Sequence, residues 1–153
     1  MLTKPAERTI AEETDRRVEE VKGLASVCHN PADIGASIAS GSFLTAGMVV
    51  IPCSIHSLSA IAYCLADNLL TRAADVTLKE RRKLLLVVRE TPLHAGHLKA
   101  MLAATEAGAV VMPPMPAFYK RPKTIDDLVN HTVGRVLDHF GIEHQLFDRW
   151  GSR

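Results

Sequence analysis

Three short apolar runs interrupt an otherwise mixed chain: MVVIPC at 48–53, LLLVVR at 84–89 and AVVMP at 109–113. None of them alternates apolar with polar positions, the pattern of strands covered on both faces of a parallel sheet. The intervening segments carry helical spacing instead. Residues 54–70 place Leu58, Ile61, Ala62, Ala66 and Leu69 on such a pattern, and residues 93–107 do so with Leu98, Met101, Leu102 and Thr105. The last helix is the clearest. Thr124 and Asp127 form a capping-box pair, an apolar stripe follows (Ile125, Leu128, Val129, Val133, Val136, Leu137, Phe140), and Gly141 stops it. Strands alternating with helices predict a doubly wound α/β fold, whose ligands gather beyond the carboxyl ends of the strands.

The beginning of the chain departs from that scheme. A helical segment, PAERTIAEET, comes first with no strand before it, and the next candidate strand, around LASVCH, is short and weak. An α/β domain ordinarily opens with a buried strand and a phosphate-gripping turn, and neither GxGxxG nor a P-loop occurs here. Repeats, low-complexity stretches and linkers are absent, so residues 1–153 read as one domain.

Composition narrows the function classes. A net charge of +1 gives no argument for nucleic acid or an anionic membrane, and 5% aromatic residues offer little for stacking on bases. No apolar run approaches the ~18 residues of a membrane span, and the charged N-terminus is no secretory signal. Cys28, Cys53 and Cys64 are odd in number and lack CxxC spacing; Cys53 and Cys64 read as reduced core thiols. The expected location is the cytoplasm.

Polar groups collect after each apolar run. Ser54, His56, Ser57 and Ser59 stand at the start of a helix, where hydroxyls and free N–H groups favour phosphate, although a plain serine cap gives the same pattern. Arg89-Glu90 follows the second run: a guanidinium able to clamp phosphate and a carboxylate able to move a proton, or a surface pair at a strand end. After the third run a proline-stiffened loop holds Phe118, Tyr119, Lys120 and Arg121, suited to a phosphorylated or aromatic ligand or serving as a connector. Arg135 falls on the edge of the last helix's stripe, where it either meets an anion or reaches to solvent. Arg72, Asp75 and Lys79 have the spacing of a solvated helix face with internal pairs. His94 and His97 have the spacing of metal ligands, but no acid or cysteine follows at a fitting offset. His94 aligns with Leu98 and Met101, so packing or a subunit contact is the expected role.

Three long stretches resemble one known family: SGSFLTAGMVVIPCSIHSLSAIA, LLTRAADVTLKERRKLLLVVRETPLHAGHLKAM and GAVVMPPMPAFYKRPKTIDDLVNHTVGRVLDHFGI. They are similar to the UbiX/Pad-type flavoproteins, the flavin prenyltransferases, over nearly the whole chain, with VVRETPLH and PPMPAFY the most specific segments. The resemblance implies a flavodoxin-like or Rossmann-like parallel sheet with helices on both faces, in dodecamers built from trimers. It implies transfer of a dimethylallyl group from dimethylallyl monophosphate to reduced FMN. The product, prenylated FMN, would serve a UbiD-type decarboxylase in ubiquinone biosynthesis or aromatic acid decarboxylation, with no metal required. An accessory subunit of a hydroxyarylic acid decarboxylase and an inactive scaffold remain as alternatives.

Carried onto this chain, the resemblance implies that Ser54, Ile55, His56 and Ser57 line the flavin and that Arg89 holds it. Thr3 falls where the family places a hydroxyl, usually serine, near the flavin phosphate or ribityl chain. Glu90 would be the acid–base residue. Lys79, Tyr119 and Arg135 would bind the dimethylallyl phosphate, with Arg72 contributing across a subunit boundary; Glu13 and Trp150 match positions near the site. These residue types suit the chemistry. Cations and a tyrosine O–H stabilise a departing phosphate, and a partly desolvated carboxylate suits a proton exchanged with phosphate or ring. The family's opening strand and Gly-Ala-Ser/Thr-Gly turn have no match here, so the fold is expected to be N-terminally truncated, with an exposed sheet edge and weakened FMN binding.

Overall fold

In the computed structural model, described over residues 1–149 and 151, the three apolar runs form one parallel sheet of order β1-β2-β3. Its strands are β1 (Met48–Cys53), β2 (Leu84–Val88) and β3 (Val110–Val111). The helices are α1 (Lys4–Glu13), α2 (Val18–Gly23), α3 (Ile55–Ala62), α4 (Leu69–Lys79), α5 (Ala95–Glu106) and α6 (Ile125–His139). Two 3-10 turns, Ser37–Ala39 and Phe118–Lys120, complete the order.

β2 is buried at every position, and the reason is visible in its two sets of neighbours. Leu84, Leu86 and Val88 face Leu58 and Ile61 of α3, Ala74 of α4, and Ala100 and Ala104 of α5. Leu85 and Val87 face the other way, onto Val136 of α6 with Met112 and Phe140. Helices therefore cover both faces, as an unalternating apolar strand requires. β1 pairs with β2 on one side only; as an edge strand it leaves Val49 38% and Ile51 49% exposed. Along its outer edge lies a cavity of about 380 Å³, lined partly by Leu2, Thr3, Phe43, Val49 and Ile51.

Several local expectations need correction. The helical pattern over 54–70 is two helices, because Cys64 takes φ +58° and Asn68 restarts the chain. The Asn68 side chain accepts the Thr71 N–H at 3.1 Å, capping α4. LASVCH forms no strand: it leaves α2 with Leu24 and Val27 exposed and has no neighbour to pair with. Cys64 is exposed rather than a core thiol, as Cys28 is too, whereas Cys53 is fully buried and its thiol is pushed up to about 12 by that burial. The buried face of α5 is the small pair Ala100 and Ala104, with Leu98 and Leu102 outward. α6 keeps its capping box. The Asp127 carboxylate accepts the Lys123 and Thr124 N–H groups, which hold it below the usual carboxylate range, and Thr124 accepts from Asp127. Ile125 and Val129, expected on the apolar stripe, stand exposed, while Val136 and Phe140 of that stripe pack with Leu85 and Val87. Gly141 ends the helix at φ +69°. Among the described residues no helix is long and apolar enough to cross a membrane.

Candidate active site

The carboxyl edge of the sheet is built by one hydrogen bond between strand ends. The Arg89 N–H donates to the Cys53 C=O at 3.2 Å, so the first residue beyond β2 is stitched to the last residue of β1. Ser54, the N-cap of α3, follows Cys53 at once. Its Oγ accepts the Ser57 N–H at 3.2 Å and lies 3.2 Å from the Ser57 hydroxyl. The cap satisfies Ser57, while the N–H groups of Ile55 and His56 stay without helical acceptors, as at any helix start. Ser54 and His56 are exposed, and Ile55 and Ser57 half-buried. These four residues and the Arg89-Glu90 pair thus sit on adjacent strand ends.

Arg89 and Glu90 are both exposed. The Arg89 guanidinium pairs with no carboxylate among the described residues, and Glu90 accepts the Thr91 N–H at 3.1 Å. The expectation of a partly desolvated Glu90 is not met within one chain, because the loop that follows β2 leads away from the sheet into solvent. His94 proves to be the N-cap of α5: its Nδ1 accepts the Gly96 N–H at 3.0 Å, and its exposed ring stacks on His97 with centroids 3.6 Å apart. No cluster of three metal-ligating side chains occurs among the described residues.

Tyr119 lies in the 3-10 turn beyond β3 and is 72% exposed. Its ring meets His131 of α6 edge-on at 6.3 Å, and Arg135 follows one turn later on the same helix, exposed. Burial, then the charges of Arg135 and Lys120, push the His131 imidazole below its ordinary value, which favours the neutral ring. Tyr119 and Arg135 therefore share one flank, joined by a histidine that sequence patterning passed over.

Other candidates lie elsewhere in the single chain. Lys79 ends α4 before β2 begins, pairs with Glu80, and approaches the glycine backbone of Gly41. It stands at the opposite end of β2 from Glu90. Arg72 bonds Asp75 at 3.1 Å within α4. Thr3 caps α1 and lines the cavity along β1, which none of the strand-end residues Ser54–Ser57, Arg89 or Glu90 enters. Glu13 is exposed at the end of α1, and Trp150 lies outside the described residues.

Comparison with known proteins identifies the family. Residues 2–137 match the Flavoprotein family. The chain is 59% identical over 150 residues to a flavin prenyltransferase UbiX of Thauera aromatica, covering 98% of this chain and 77% of that protein. Among solved structures, it superimposes on AnUbiX (PadA1), in complex with FMN and dimethylallyl pyrophosphate, with a TM-score of 0.96. That pair is 49% identical and covers 99% of this chain and 80% of the other. A dodecameric FMN-dependent UbiX-like decarboxylase from Escherichia coli O157:H7 gives a TM-score of 0.94 at 53% identity, covering 98% and 81%. The chain belongs to the flavoprotein family, among its flavin prenyltransferases of the UbiX type.

Proposed function

We propose that this chain transfers the dimethylallyl group of dimethylallyl monophosphate to reduced FMN and releases prenylated FMN to a UbiD-type decarboxylase. The observation that carries the reading is the pairing of strand ends through Arg89 and Cys53. It sets a serine-capped helix start beside an unpaired guanidinium and an exposed carboxylate, at the sheet edge where α/β folds bind ligands. Hydroxyls, free N–H groups and an arginine fit FMN, a ligand with a phosphate, a polyol and a ring rich in hydrogen-bonding atoms.

Reduced FMN supplies the electron-rich ring that accepts the dimethylallyl group. The protein's residues orient and neutralise. Ser54, Ser57 and the N–H groups of Ile55 and His56 orient the flavin, Arg89 holds it, and the Thr3 hydroxyl reaches toward its phosphate or ribityl chain. Tyr119 and Arg135 take up the charge that grows on phosphate as the carbon–oxygen bond breaks. Glu90 holds the proton to be exchanged with phosphate or ring. Lys79 and Arg72 serve the phosphate from another copy of the chain, because Lys79 and Glu90 flank opposite ends of β2. The dodecameric relative supports such an assembly.

The test is anaerobic incubation of the purified protein with reduced FMN and dimethylallyl monophosphate, followed by mass spectrometry of the extracted flavin. One added dimethylallyl group per flavin is expected. Unchanged flavin recovered from protein saturated with FMN would overturn the reading.

A further inference from the structure

Beyond α6 the chain turns back at Gly141, and residues 144–149 lie against the helix they have left. The contact centres on Gly134. A Cβ there would stand 2.5 Å from Phe147 Cε1 and 2.6 Å from His144 Cε1, closer than side chains approach. Glycine is a poor choice in a helix interior, so the close seating of two rings gives this one its reason. Asp138, one turn further on, fastens the segment: its Oδ1 lies 2.7 Å from Arg149 Nη2 and 3.2 Å from His144 Nε2.

The seated segment reaches the loop that carries Tyr119 by two routes. The Phe147 ring lies tilted against His131 with centroids 4.8 Å apart, and His131 in turn meets Tyr119 edge-on. Lys120 Nζ donates to the Asp148 C=O at 3.0 Å. Within the loop itself, Lys120 N–H to Ala117 C=O and Arg121 N–H to Phe118 C=O are the turn's own backbone bonds, and neither fixes the Tyr119 ring.

We propose that residues 144–149 form a positioning strap whose seat on Gly134 presses His131 against Tyr119 and so fixes the phosphate-binding loop beside Arg135. The strap touches no reacting atom. It lowers the ordering cost of bringing the Tyr119 hydroxyl to the dimethylallyl phosphate, and this consequence rests on the assignment of Tyr119 to that phosphate. Flavin binding, which uses the residues that follow β1 and β2, is independent of it.

Gly134→Ala tests the strap without touching Tyr119, and helix propensity alone would favour the alanine. Phe147→Ala removes the seated ring and leaves α6 intact, should Gly134→Ala fail to fold. In a Tyr63→Phe background Tyr119 is the remaining tyrosine, and 3-fluorotyrosine makes its ring visible by ¹⁹F NMR. Both variants should shift the Tyr119 line and raise KM for dimethylallyl monophosphate about tenfold, with FMN affinity unchanged. An unmoved line overturns the strap whatever the activity does. A moved line with unchanged KM also overturns it, and Tyr119→Phe then shows which step failed. If Tyr119→Phe leaves KM unchanged, the assignment of Tyr119 is wrong; if it raises KM, that assignment stands and the strap does not position the residue.

Discussion

Where β2 begins, three cations are tied into the fold. Arg82 donates to the Phe43 and Gly41 carbonyls at 2.8 and 2.6 Å, across 39 and 41 residues of sequence. Lys83 donates to the His139 carbonyl at 2.8 Å, and Lys79 pairs with Glu80, whose carboxyl it holds below the usual range. Where β2 ends, Arg89 and Glu90 stand exposed, and among the described residues Arg89 joins the fold through its backbone N–H. Charged residues thus do two jobs at the two ends of one strand. Arg82 and Lys83 at the start tie distant loops together, and the charges at the finish remain available for a ligand, where a parallel sheet leaves its last amides and side chains open.

The sharpest way to break this comparison is at Glu90. Glu90→Gln keeps the size and the capacity to accept the Thr91 N–H but cannot exchange the proton. Turnover should fall about 10²- to 10⁴-fold, with FMN affinity within about twofold of the parent. Parallel loss of FMN binding and turnover would assign Glu90 a structural role at the strand end.

Arg89 and Arg82 form the next contrast. Arg89→Ala should weaken FMN binding about 10- to 100-fold, the value of one or two charge-assisted bonds, with little change in Tm. Arg82→Ala should do the reverse. Losing both carbonyl bonds should cost about 1–2 kcal/mol and roughly 3–6 °C in Tm, with FMN affinity unchanged. Flavin fluorescence quenching and thermal melts of the two variants decide it; equal effects on both readouts would erase the distinction between the two ends.

What the sequence made legible follows the same division. β2 was readable because an apolar run flanked by helices has one common solution, and the Thr124–Asp127 box because its chemistry is local. The strand-end residues were readable as chemistry because Ser54 and Arg89 directly follow such runs. The strap was not. Gly134 in mid-helix was the signal available, but it names no partner, and Phe147 arrives through a turn with no periodicity of its own. Leu98 and Ile125 misled for a related reason: periodicity gives a helix face, but not how much of that face its neighbours cover.

Lys79 tests the comparison most finely, because it is tied to the fold at the start of β2 yet assigned to the phosphate. Its bond to Glu80 is an exposed surface ion pair, screened by solvent and weakly held, so a ligand phosphate can displace it readily. Five residues of β2 span about 15 Å, which keeps Lys79 from the Glu90 of its own chain. If each site draws Glu90 from one copy and Lys79 from another, Lys79→Ala and Glu90→Gln proteins are each inactive alone. Assembled together in equal amounts, they should recover about a quarter of wild-type activity, the chance that a site receives both intact residues. Recovery is read as prenylated FMN after co-expression of the two chains. Activity that stays at the level of either variant would place both residues in one chain's site, and full activity of Lys79→Ala alone would return Lys79 to the cations that serve only the fold.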